Sequence, residues 1–164
     1  MIYTLISFFL DTLLSLSIDS AYQNINIFFP LIFVSSIPIS YVLIKSKKLF
    51  FTTYIIFGIL FDLLYSDIIF INLYYFILTG LFCYIFYSNH KTTYLNITLI
   101  SILSFILYDI YIFLILILIG YSNFNISSLF YKISHSLILN ISYIIISILI
   151  LKSRILVCKN CFKK

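Results

Sequence analysis

Three aspartates, Asp11, Asp62 and Asp109, stand inside long apolar stretches of a 164-residue chain that contains no glutamate. A charged Asp at mid-membrane costs roughly 2.5–3.5 kcal/mol on insertion scales, so each is expected to face the inside of a helix bundle. Two chemistries suit such a group. One is ion coupling or ligand capture. The other is structural, with a protonated or hydrogen-bonded carboxyl tying helices together through nearby Ser, Thr, Asn or Tyr. Asp62 differs from the other two by lying near the end of its stretch, where Lys132 or His135 of a later stretch is a candidate partner. The simplest reading of His135 is a satisfied helix-interface histidine rather than a metal ligand or proton relay, and His90 reads as a loop residue. Cys158 and Cys161 make one CxxC without a second pair or a His partner, which is not a zinc-site pattern. The chain shows no nucleophile–base set, phosphate-binding Gly loop or metal-ligand cluster, so neither an enzyme nor a cofactor is expected.

The elements that hold these residues follow from composition. The chain is 63% hydrophobic and 9% charged, with a mean hydropathy of +1.19. A soluble domain carries about 25% charged residues, and so few charges could not cover a water-facing surface. A soluble enzyme, a nucleic-acid-binding domain and a disordered chain are excluded. The net charge of +5 therefore bears on topology and lipid headgroups rather than on nucleic acid.

Six apolar runs cover approximately 2–18, 27–44, 50–65, 68–88, 94–120 and 133–151. Each is near the roughly 17–25 residues that cross a bilayer as a helix, although the third is short. The runs lack the polar–apolar alternation of a membrane barrel, so an all-α bundle of six transmembrane helices over residues 1–151 is expected. Residues 152–164 read as a basic cytoplasmic tail. Lys and Arg in short connections stay cytoplasmic, and nine of the ten basic residues fall in alternate connections and the tail, leaving only Lys132 on the other side. Both termini are thereby placed in the cytoplasm.

The stretch Gly58-Ile-Leu-Phe-Asp62-Leu63-Leu64, continuing through Asn72 to Gly80, resembles the MreD family of rod shape-determining proteins. That family carries a Gly ahead of Asp-Leu-Leu, then a Gly/Pro-containing turn, an Asn-like polar position and a later helix Gly. Gly58, Asp62, Leu63, Leu64, Asn72 and Gly80 match in register, whereas Ser66, Ile68 and Phe70 replace the turn glycines and proline. The resemblance implies a non-enzymatic subunit of the bacterial cell-wall elongation machinery in the cytoplasmic membrane. It implies partnership with an MreC-like membrane-anchored protein and, through it, with MreB and the RodA–penicillin-binding protein synthase. It also implies a fold similar to the six-helix substrate-binding subunits of energy-coupling-factor vitamin transporters.

The residues carry their own reading of this motif. Gly58 allows a close helix contact one turn below Asp62. Asp62 is placed to accept backbone N–H groups at the start of the returning helix, which Asn72 and Gly80 then pack. The alternative function is a membrane subunit that captures a vitamin-like molecule, although the non-basic connections offer few polar groups for a pocket. A proton-coupled carrier using Asp11 and Asp109 is a third possibility.

The alternation of basic connections sets a topological expectation. Reporter fusions after Lys48, after Lys91 and at the C-terminus should report cytoplasm, and fusions near Gln23, Asp67 and Asn125 the outside. A C-terminus mapped outside the cell would overturn the six-span reading.

Overall fold

The structure, a computed structural model, describes residues 1–21, 31–44, 46–65, 70–90, 92–120 and 126–161. Six helices account for nearly all of them: α1 (Ile2–Ala21), α2 (Ile32–Leu43), α3 (Lys47–Tyr65), α4 (Ile71–Asn89), α5 (Tyr94–Leu118) and α6 (Ile126–Cys161). There is no strand among the described residues. Helix α4 and residues Tyr94–Ile115 of α5 are long and apolar enough to cross a membrane, and shorter apolar stretches lie at Ile2–Ser15, Ile32–Leu43 and Ser136–Lys152.

The helix ends depart from the apolar runs in two instructive places. Helix α2 begins at Ile32 rather than at 27, with Pro30 outside the described residues. Helix α6 begins seven residues early and runs through the segment read as a tail, as far as Cys161. Nothing stops it: neither Gly nor Pro occurs after Gly120, and Lys, Arg and Leu are good helix formers. At about 1.5 Å per residue, its 36 residues span about 54 Å, well beyond a hydrocarbon core of about 30 Å.

Helix α2 is the hub. Every residue from Ile32 to Ser40 is buried, and α1, α3, α4, α5 and α6 all pack on it. Phe33 sits at its centre, with the rings of Phe8, Tyr54, Phe57 and Phe76 between 5.2 and 5.5 Å from its own. With one alanine and three glycines in the whole chain, the bundle is filled by interlocking aromatics more than by small-residue stripes.

The outside of the bundle is apolar as well as its aromatic core. The peripheral helices expose large apolar side chains, among them Phe9, Leu63, Leu78, Leu99 and Ile138, while Ser, Thr, Asn and Asp are buried. Continuous apolar surface of this kind suits lipid. The buried hydroxyls turn back on their own helices, Ser36 Oγ donating to Phe33 O at 2.6 Å and Ser40 Oγ to Ile37 O at 2.8 Å. Pro38 lies within α2 and has no N–H to donate to the Val34 carbonyl. Ser104 Oγ of α5 reaches that carbonyl instead, at 3.3 Å, so a neighbouring helix satisfies the group that proline releases.

Helices α3 and α4 approach closely at Gly58. A Cβ placed on Gly58 would lie 2.9 Å from Leu73 Cα, which is backbone and cannot move aside, whereas one on Gly80 would meet only the ring edges of Phe50 and Phe51 at 3.0 and 3.1 Å. Gly58→Ala should therefore cost about 1–3 kcal/mol of overpacking, seen as a drop of several degrees in the thermal midpoint of the detergent-solubilised protein. Gly80→Ala should cost less. Equal midpoints for the two variants would contradict the α3–α4 approach.

Candidate functional site

Helices α2 and α4 both start inside the apolar bundle, where their first N–H groups lack intrahelical acceptors. Their own N-cap residues cannot help. Leu31 and Phe70 have no side-chain acceptor, and neither makes a capping hydrogen bond. Phe70 is moreover held at φ +76°, a left-handed conformation unfavourable for a bulky residue.

Residues from other helices supply the missing acceptors. At the start of α4, Asp62 Oδ1 accepts the Asn72 N–H at 2.8 Å and the Asn72 Nδ2–H at 2.9 Å. Its Oδ2 accepts the Leu73 N–H at 3.1 Å. Asn72 Oδ1 in turn accepts the Tyr108 hydroxyl from α5 at 2.6 Å, and the Tyr111 hydroxyl donates to Ile71 O at 3.1 Å. One carboxylate thus ties α3, α4 and α5 together.

The start of α2 repeats the device. Asp11 of α1 accepts the N–H groups of Ile32 and Phe33 through its two oxygens, at 3.2 and 3.3 Å. Asn140 of α6 accepts the Leu31 N–H at 3.1 Å and is itself oriented by donating to Ser136 O at 2.8 Å. Asp11 and Asp62 are each 1% exposed. The Asp62 cap extends to Tyr108 of α5 through Asn72, and the Asp11 cap extends to α6 through Asn140. Asp109 adjoins Tyr108 on α5 and is 2% exposed.

The placement of the residues singled out from sequence is now clear. Gly58, Asp62 and Asn72 converge on one α3–α4 contact, Asp11 makes the corresponding contact at the start of α2, and Asp109 is buried on α5. Gly80 packs elsewhere, further along α4 against α3. The side chains of Lys132 and His135, considered as partners for Asp62, lie outside the described residues, and the Asp62 contacts that are described run to α4. Asp11 meets backbone N–H groups rather than the side chains expected for it. Sequence reasoning missed Asn140 and Tyr108. Asn140 had a signal, a polar amide in an apolar run.

Chemically, the two caps place carboxylates at the positive ends of two helices, where backbone N–H groups and the helix dipole stabilise negative charge. Among the described residues there is no group of His, Cys, Asp and Glu suited to hold a metal ion. This arrangement ties the starts of α2 and α4 to side chains of neighbouring helices. The chain matches no protein-family model, no curated protein and no solved structure.

Removing a cap strands buried N–H groups, each worth about 1–3 kcal/mol. Asp62→Ala and Asp11→Ala should each lower folded yield and the thermal midpoint in detergent. Asp62→Asn should fall between Asp62→Ala and the wild type, because its amide oxygen keeps one acceptor while its NH2 opposes the other N–H. An unchanged midpoint for Asp62→Ala would sink the capping role and point to direct partner contact.

Proposed function

We propose that this chain is a non-enzymatic, MreD-like scaffold of the bacterial cell-wall elongation machinery. In this reading it crosses the cytoplasmic membrane six times, with both termini in the cytoplasm. The observation that carries the proposal is the α3–α4 hairpin. Within the stretch that resembles the family, Gly58 sets the helix approach, while Asp62 and Asn72 make the cap. Three of the six matched residues, Gly58, Asp62 and Asn72, thus act as a unit, which supports treating the likeness as more than coincidence of composition. The buried carboxylates Asp11 and Asp62 have both oxygens engaged with helix N–H groups, which suits a rigid body better than a carrier that must release an ion. The apolar outer faces suit packing against partner helices in the bilayer. The partners are an MreC-like membrane-anchored protein and, through it, MreB and the RodA–penicillin-binding protein synthase.

Affinity purification of the full chain in mild detergent tests this reading. Elongation proteins should co-purify, and depletion in a rod-shaped host should produce round or swollen cells with mislocalised wall synthesis. Co-purification of paired ATPases, or saturable binding of a vitamin-like molecule at a stoichiometry near one, would replace the scaffold with a transporter subunit.

A further inference from the structure

Positive and negative charges are segregated along the bundle. Asp11 and Asp62 cap the starts of α2 and α4. Lys47 and Lys48 stand at the start of α3, the other end of its hairpin with α4. Asp62 follows Lys47 on α3 by fifteen residues, about 22 Å along the helix. Lys152 lies at the lysine end too, because the preceding Leu151 belongs to a small apolar cluster on which Leu43 and Tyr87 pack. Lys47, Lys48 and Lys152 are all exposed.

Lys47 is held on the flank of the hairpin. Its Nζ lies over the ring of Tyr84 on α4, 4.1 Å from the centroid, within the range of a cation–π attraction. Helix α4 continues five residues past Tyr84, to Asn89, so the ammonium sits about 8 Å short of the helix end. The ring that seats it is itself 40% exposed. Around it the hairpin presents apolar side chains, with Leu81 exposed one turn earlier on α4 and Ile85 and Leu49 exposed beside the pair.

A fixed cation bordered by outward apolar side chains matches a molecule whose anionic group is joined directly to apolar chains. We propose that the Lys47–Tyr84 pair holds the phosphate of an anionic glycerophospholipid on the flank of the α3–α4 hairpin. Lys47 supplies the charge, Tyr84 is the positioning residue that keeps the ammonium against the flank, and the acyl chains cover the apolar side chains beside it. A lysine near an anionic membrane surface contributes about fivefold in affinity. A soluble anion has no apolar part to cover this flank. An acidic segment of a water-soluble partner would be drawn to Lys152 as strongly as to Lys47. The inference needs only a membrane setting and is independent of the scaffold reading.

The test titrates the detergent-solubilised full chain with phosphatidylglycerol or phosphatidylcholine and reads bound lipid by native mass spectrometry. Phosphatidylglycerol should bind about fivefold more tightly than phosphatidylcholine. Lys47→Gln should remove that preference, while Lys152→Gln, at the same end of the bundle, should leave it in place. Tyr84→Leu should weaken the preference and Tyr84→Phe, which keeps the ring, should restore it. Unchanged thermal midpoints show that these surface variants fold. Equal affinity for the two lipids in the wild type, or equal losses in Lys47→Gln and Lys152→Gln, would overturn the proposal. So would matching behaviour of Tyr84→Leu and the wild type, or displacement of the bound phosphatidylglycerol by excess inorganic phosphate or by a co-purified acidic protein.

Discussion

A helix that begins inside an apolar bundle must find acceptors for N–H groups that its own backbone leaves unpaired, and the rest of this structure depends on how that is done. Water cannot serve there, and leaving such groups bare costs several kcal/mol in hydrocarbon. Here the acceptors are carboxylates on the preceding helices: Asp11 for α2 and Asp62 for α4. Each hairpin is thereby closed by the same chemistry. The carboxylate also gains, because the positive end of a helix offsets the cost of holding negative charge away from water. Neither half would be stable alone.

Because α2 is capped from α1 and α6 together, it can sit at the centre with its whole first part buried. Its position then organises the aromatic packing around Phe33 and brings Val34 within reach of Ser104. The interior proline is tolerable only in that company. On the far side of the cap, Asn72 passes the constraint to α5 through Tyr108. Polar side chains serve to orient helices, and the peripheral helices keep apolar side chains facing outward.

How much of this could be read from the residues depended on sequence separation. The Asp62 cap was legible because the aspartate precedes Asn72 by only ten residues, across one short connection between consecutive helices. Asp11 stood out by type, but its partners are backbone N–H groups 21 and 22 residues away, and any residue type can offer those. Asn140 contributes to α2 from 109 residues away, a pairing that no local pattern encodes. Tyr108 is one of 15 tyrosines, and nothing in its neighbours except Asp109 set it apart. Helix existence followed from the apolar runs, but helix ends did not. The end of α6 lies beyond its apolar run because polar residues without Gly or Pro continue a helix as readily as apolar ones.

Amide hydrogen exchange in nanodiscs, comparing wild type with Asp62→Ala, bears most directly on the caps. In the wild type, the amides of Ile32, Phe33, Asn72 and Leu73 should exchange as slowly as those in the middle of α2, despite standing at helix starts. In the variant, Asn72 and Leu73 should lose that protection while Ile32 and Phe33 keep it. Fast exchange at all four in the wild type, or unchanged protection of Asn72 and Leu73 in the variant, would contradict carboxylate capping as the interaction that closes the hairpins.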